Sequence, residues 1–190
     1  MYDTLIRGGL VVDPSQGNHE RMDLAITHGK VAALQESIPA NQARHVVDAQ
    51  GRIVTPGLVD LHTHLYWGVS HYGLDADENC VMKGVTTALE AGSAGAQNFP
   101  GLRRYVIERS HTRILALLNI SSIGMAVQAV GELEEPRYAD REHARRVVEK
   151  NRDLIVGMKV RLSPNVVGAN WLEPLRSTLE VAADAGIRVM

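Results

Sequence analysis

Two different spacings of apolar residues divide the chain. Up to about residue 55, short β-branched runs alternate with turn residues at intervals of roughly ten residues, which is typical of a small all-β unit. The sequence THGKV predicts a tight hairpin turn in which Gly29 adopts a positive φ. The rhythm changes at Leu58, so we expect one unit at 1–55 and a second at 56–190.

The second part alternates strand-like runs with helical patterns. Strands are predicted to begin near Leu58, Val85, Ile114, Ile155 and Ile187. Repeated strand–helix units favour a parallel sheet with right-handed crossovers, either doubly wound or a (β/α)8 barrel. A barrel usually needs about 250 residues. If the fold is a barrel, we therefore expect only its first four to five strands here, with the chain a fragment or the missing half supplied by something else.

The last helical pattern is the most regular one. It predicts a helix that ends at Gly186 and turns one apolar face toward the sheet. The residues at helical spacing are Leu172, Leu175, Leu179 and Ala182.

Charge and cysteine content narrow the classes of function. The net charge is −2 and the basic residues are scattered, which argues against a nucleic-acid or membrane-binding surface. The single cysteine, Cys80, cannot form an internal disulfide and suits a reducing compartment. The N-terminus lacks the features of a signal peptide, and no apolar run has the length of a membrane span. We expect a cytoplasmic protein.

A polar face on the first strand of the second part is the main candidate for chemistry. Side chains alternate along a strand, so Asp60, His62 and His64 share one face. The opposite, apolar face is expected to pack against helices and comprises Val59, Leu61, Thr63 and Leu65. A His-x-His pair near the carboxyl end of a strand suits a divalent metal such as zinc. Two hydrogen-bonded histidines without a metal are the structural alternative.

A lysine interrupts the fourth apolar strand. Lys159 shares its face with Arg161, while Val156, Met158, Val160 and Leu162 form the apolar one. Burial favours the neutral amine, which can react with carbon dioxide to give an anionic carbamate able to bridge two metals. Alternatively, the amine reaches water or pairs with Glu90.

Taken together, GLVDLHTH, GMKVRLS and EAGSAGA resemble the amidohydrolase superfamily, and the segment 84–124 is similar to its dihydroorotase-like deacetylase group. The resemblance covers residues 3 to 190 and implies the N-terminal half of a (β/α)8 barrel preceded by a small β-sandwich portion. It further implies that His62 and His64 bind one of two divalent ions, with zinc as the expected metal, and that carboxylated Lys159 bridges both ions. The remaining ligands of that family would lie beyond Met190, so this chain alone is expected to be inactive.

Substrate contacts are predicted from the same strand ends. Arg161 is placed to bind a carboxylate, with a structural ion pair as the alternative. Ser93 and Gly95 could offer backbone N–H groups to an anion, and Tyr66 follows the first strand as a pocket residue. Dihydroorotases often continue the motif as HxHxR, whereas position 66 here is tyrosine.

The resemblance implies hydrolysis of an acyl C–N or ester bond by a metal-bridging hydroxide, with a small N-acyl or O-acyl carboxylate as substrate. A cyclic amidase, such as a dihydroorotase or hydantoinase, is the alternative within this class. A metal-free, non-catalytic scaffold is the alternative outside it. A homo-oligomer is compatible with the sequence.

Overall fold

The computed structural model describes residues 1–126 and 129–190. The chain divides into two units, Met1–Pro56 and Gly57–Met190. None of the described helices combines the length and apolar character needed to cross a membrane.

Strands form the first unit, and strands alternate with helices in the second. The strands are β1 (Tyr2–Asp13), β2 (Asn18–Thr27), β3 (Lys30–Gln35), β4 (Ala43–Asp48), β5 (Ile53–Val54), β6 (Leu58–Thr63), β7 (Val85–Glu90), β8 (Arg113–Asn119), β9 (Ile155–Lys159) and β10 (Arg188–Val189). The α-helices are α1 (Ala76–Asn79), α2 (Phe99–Tyr105), α3 (Arg141–Lys150), α4 (Pro164–Val167) and α5 (Glu173–Ala185). Short 3-10 turns occupy Ala40–Gln42, Val81–Lys83, Ile107–Arg109, Pro136–Tyr138 and Gly168–Asn170.

The N-terminal unit is one mixed sheet in the order β3-β2-β1-β4, with β5 also paired to β1. The predicted hairpin turn is confirmed: His28 and Gly29 both have positive φ and connect β2 to β3. A small buried cluster of Leu5, Ala25 and Ile38 holds the unit together. The arrangement of this sheet in a β-sandwich stays a prediction.

The C-terminal unit is a parallel half-barrel sheet in the order β10-β9-β8-β7-β6. Its strands begin within one residue of the predicted positions, because each apolar run starts directly after a turn or helix end. Phe99, Leu118, Met158 and Val181 are fully buried between the sheet and its helices. The register pairs Thr63 with Glu90 and Asn119 with Lys159, so polar residues at the carboxyl ends of neighbouring strands meet at one edge.

The predicted apolar faces are only partly correct. Val59 and Leu61 are 60% and 66% exposed, because β6 is an edge strand whose outer face is uncovered within the described residues. On β9, Met158 and Val160 are buried, whereas Val156 and Leu162 are not.

Helix α5 ends at Gly186 as predicted, with the glycine in the left-handed conformation. The predicted face is correct only in part: Ala182 is buried and Leu175 packs partly buried against the core, whereas Leu172 and Leu179 are about half exposed. Small side chains contact the sheet instead and allow the helix axis to approach β9 and β10. The buried residues are Pro174, Ser177, Thr178, Val181, Ala182 and Ala185.

Leu118→Ala and Leu179→Ala make the same chemical change in two environments. We expect Leu118→Ala to lower the free energy of unfolding by about 2–5 kcal/mol, because it leaves a cavity in the core. Leu179→Ala should change it by less than about 1 kcal/mol, since that side chain is half exposed. Denaturant unfolding followed by circular dichroism measures both values, and equal losses would contradict the described core.

Candidate functional site

His62 and His64 lie side by side at the carboxyl end of β6. Their ring centroids are 5.4 Å apart and the rings are inclined at 72°. The Asp60 carboxylate accepts a hydrogen bond from the His62 backbone N–H at 3.0 Å, which fixes the strand end between them. Partial burial, followed by the charges of Lys159 and His64, lowers the pKa of His62. The neutral ring that metal binding requires is therefore favoured at this position.

Lys159 is the last residue of β9, and its side chain is buried. Burial is the main cause that lowers its pKa, and the neighbouring Arg161 charge acts in the same direction. Gly92 makes room for its stem: a Cβ built on Gly92 would lie 2.5 Å from both Cβ and Cγ of Lys159. Within the described residues Lys159 forms no ion pair with Glu90, so the predicted alternative pairing is not seen.

Arg161 makes the ion pair that was the structural alternative to a substrate contact. Its Nε donates to Oε1 of Glu132 at 3.0 Å, and its Nη2 donates to Oε2 of the same carboxylate. Glu132 is almost fully buried and also accepts a bond from the Asn119 side-chain amide at 3.1 Å. Two of the Arg161 nitrogens thus bind Glu132, and Nη1 forms no hydrogen bond with the residues that the structure describes.

The backbone N–H groups of Ser93 and Gly95, which were predicted to contact a substrate anion, both have partners within the chain. The Ser93 N–H donates to both carboxylate oxygens of Glu90, at 3.0 and 3.1 Å. The Gly95 N–H donates to the Asn98 side chain at 2.9 Å, and a Cβ on Gly95 would lie 1.7 Å from the Ser121 carbonyl oxygen. Both groups are satisfied inside the loop and offer no free donor to a substrate anion.

Tyr66 belongs to the core. Its ring is buried in the main hydrophobic cluster, its hydroxyl donates to the Asn98 carbonyl at 3.0 Å, and burial raises its pKa. It lines a cavity of about 410 Å³ on the α1–α2 side that includes none of His62, His64 and Lys159. The prediction of Tyr66 as a substrate contact is therefore not supported by its position.

A smaller cavity of about 180 Å³ lies beside Arg161 and Glu132. His71 and Tyr72 line it, with ring centroids 4.2 Å apart, and the Tyr72 ring lies 5.9 Å from that of His64. Glu132 could not be found from the sequence, because it lies in an irregular segment without a motif. Glu90 and Asn119 could have been found as the polar last residues of two apolar strands.

The donor groups fit part of a divalent metal site. The two imidazoles are nitrogen donors of the kind that zinc accepts, and a buried lysine with a lowered pKa can be converted to a carbamate, which binds a metal through its oxygens. Across residues 1–126 and 129–190, no three His, Cys, Asp or Glu side chains converge as a complete site. Further ligands are needed for the two-metal centre that the sequence predicts.

The sequence and the fold are similar to those of known proteins. The model of a family described as "Amidohydrolase family" matches residues 45–154. A deacetylase of Agrobacterium fabrum is 37% identical over 81% of this chain and 38% of its own length. A dihydroorotase of Geotalea daltonii is 31% identical over 68% of this chain and 33% of its own length.

A crystal structure of a dihydroorotase superposes on the whole chain with a TM-score of 0.88 and 32% identity. The chain spans 50% of that structure and a smaller share of the two relatives above.

Gly92→Ala, with Gly84→Ala as its control, tests whether the Lys159 side chain packs directly against Gly92. Both glycines have φ near +89°, so each alanine costs about 1–2 kcal/mol of backbone strain. Only Gly92→Ala also overlaps the Lys159 stem, because space around Gly84 is open. We expect Gly92→Ala to lose about 1–3 kcal/mol more unfolding free energy than Gly84→Ala. Equal losses in denaturant unfolding would show that Lys159 lies elsewhere.

Arg161→Ala removes the arginine that pairs with the buried Glu132, and Arg137→Ala removes the arginine of an exposed ion pair. Without Arg161 the buried Glu132 carboxylate loses its charged partner, and we expect a loss of about 3 kcal/mol. Arg137 pairs with Glu135 in solvent, and its removal should leave stability unchanged within error. Urea unfolding of both variants measures the difference, and a stable Arg161→Ala variant would refute the structural role of the pair.

Proposed function

Because the chain belongs to the amidohydrolase family, we propose that it contributes one side of the active site of a metal-dependent hydrolase that cleaves an acyl C–N or ester bond. The observation that carries this proposal is the position of His62 and His64 at the same sheet edge as the buried Lys159. The carboxyl ends of parallel strands are where active sites of barrel enzymes lie.

His62, His64 and the carbamate of Lys159 would hold two divalent ions, with zinc as the expected metal. When bound, such ions supply a nucleophilic water at neutral pH and polarise the scissile carbonyl group. The chain prepares its donors before any metal binds. The lowered pKa of His62 keeps its ring neutral, and the lowered pKa of Lys159 increases the fraction of free amine. That amine attacks the carbon of carbon dioxide, forms an N–C bond and releases one proton.

The substrate side of the proposal concerns the cavity beside Arg161. Nη1 of Arg161 is left over from the ion pair with Glu132 and could donate a single bond to a substrate carboxylate. Tyr72 and His71 provide the aromatic wall of the same cavity. We propose a small N-acyl or O-acyl carboxylate as substrate, and the similarity to a deacetylase supports this class.

A cyclic amidase is the second candidate, favoured by the similarity to dihydroorotases. Position 66, where HxHxR proteins have the arginine, is here a buried tyrosine whose hydroxyl is bonded to the Asn98 carbonyl. No carboxylate-binding arginine is therefore available at that place, which favours the deacetylase class. The cytoplasm is the proposed location, since the buried Cys80 is the only cysteine.

His62→Ala and Lys159→Ala test the metal proposal in the whole protein. We expect about two divalent ions per wild-type molecule. Each substitution should reduce metal content and lower hydrolysis of N-acetyl and O-acetyl carboxylates by more than about 100-fold, because each removes a ligand. Elemental analysis and a substrate panel provide the measurements.

His45→Ala and Lys150→Ala are the matched controls, since both side chains are exposed and lie on β4 and at the end of α3, outside the carboxyl ends of β6 and β9. They should retain wild-type metal content and activity. Wild-type protein that purifies without metal, and gains none on incubation with zinc and bicarbonate, would refute the proposal and support a non-catalytic scaffold.

A further inference from the structure

Glu90 is a buried carboxylate at the carboxyl end of β7 with few partners. Its side chain is fully shielded from solvent, and among residues 1–126 and 129–190 both oxygens accept from one donor, the backbone N–H of Ser93. Within the described parts of the chain, the one basic side chain that forms an ion pair with it is His64, whose Nδ1 lies 3.7 Å from Oε1. A buried charge with so few donors is costly, so its nearest polar neighbour is strongly affected by it.

Ser93 connects this carboxylate to the imidazole. Its backbone N–H binds Glu90, while its hydroxyl oxygen lies 2.9 Å from Nδ1 of His64. A neutral imidazole carries its proton on one nitrogen and accepts with the other. The negative charge of Glu90 faces Nδ1, and it therefore favours the form in which Nδ1 is protonated and donates to the Ser93 hydroxyl.

We infer that Glu90 and Ser93 are positioning residues that hold His64 in its Nδ1–H tautomer and leave the Nε2 lone pair for a divalent metal. Glu90 does not act as a ligand beside His62 and His64, since the three do not converge as a metal site among the described residues. Ser93 does not contact substrate, since its side chain is fully buried. The metal part of this inference rests on the proposed function, whereas the tautomer is a property of the metal-free chain.

The tautomer is measured on the 15N-labelled, metal-free 190-residue chain by long-range proton–nitrogen NMR of the imidazole rings. The His64 signals are assigned by their absence from His64→Gln. We expect the Nδ1–H pattern in the wild type and a shift toward the Nε2–H pattern in Ser93→Ala and Glu90→Gln. A wild-type Nε2–H pattern, or an unchanged pattern in Ser93→Ala, would overturn the inference. Ser93→Ala decides alone if Glu90→Gln fails to fold.

Asp77→Asn is the matched control for the loss of a carboxylate. Asp77 also accepts backbone N–H bonds, but from His111 and Thr112, and it makes no contact with His64. This variant should keep the wild-type His64 pattern even if it loses stability. A changed pattern in Asp77→Asn would show that the tautomer responds to general destabilisation and would overturn the specific role of Glu90.

Zinc affinity of the whole protein, as used for the metal proposal, provides the second readout and is measured by competition with a chromogenic chelator. Glu90→Gln and Ser93→Ala each remove a group that orients the histidine ligand, and we expect each to weaken zinc binding about 10- to 100-fold. Asp77→Asn should keep the wild-type zinc affinity. Unchanged affinity in both site variants would overturn the positioning role. If the wild type binds no zinc, the proposed function fails, and the tautomer measurement still decides the inference about Glu90 and Ser93.

Discussion

The parallel register from β6 to β9 brings Thr63, Glu90, Asn119 and Lys159 to one edge of the sheet, and every contact of the candidate site starts there. The register itself is held by buried apolar residues such as Leu118 and Met158 on the helix-facing side. Because neighbouring strands end together, polar side chains that are 27 to 40 residues apart in sequence become neighbours without any local motif. Core packing and site geometry therefore have a common origin.

Two buried carboxylates at this edge have different partners. Glu132 has the full positive charge of Arg161 and an amide donor from Asn119. Glu90 has one backbone donor and a nearby imidazole. Lys159 lies close enough to Arg161 for that charge to lower its pKa, while both carboxylates act in the opposite direction. At this edge, Glu132 is thus paired with a full positive charge, whereas the negative charge of Glu90 acts mainly on the neighbouring His64.

Local sequence patterns were sufficient for the elements and for the central ligand candidates. Period-two alternation identified His62 and His64 as one pair, and turn residues located the strand starts and the end of α5 at Gly186. Contacts made after folding were not accessible in this way. Glu132 reaches Arg161 across 29 residues of chain, and the N–H groups of Ser93 and Gly95 are occupied by side chains that no pattern connects to them. Helix α5 turns mainly small residues inward, and the spacing of its leucines did not indicate this.

The side chain of Asn119 connects the loop after β7 with the segment after β8. Its amide donates to the Gly92 carbonyl and to Glu132, and its oxygen accepts from the Ser121 N–H. If the loop after β7 opened alone, the Gly92 carbonyl would lose its hydrogen bond to the Asn119 amide. The same amide also donates to Glu132, so the free energy of opening would include the loss of hydrogen bonds at two buried polar groups. The loop after β7 and the segment after β8 consequently behave as one cooperative unit, in which local unfolding and the effects of substitutions on either side are coupled rather than additive.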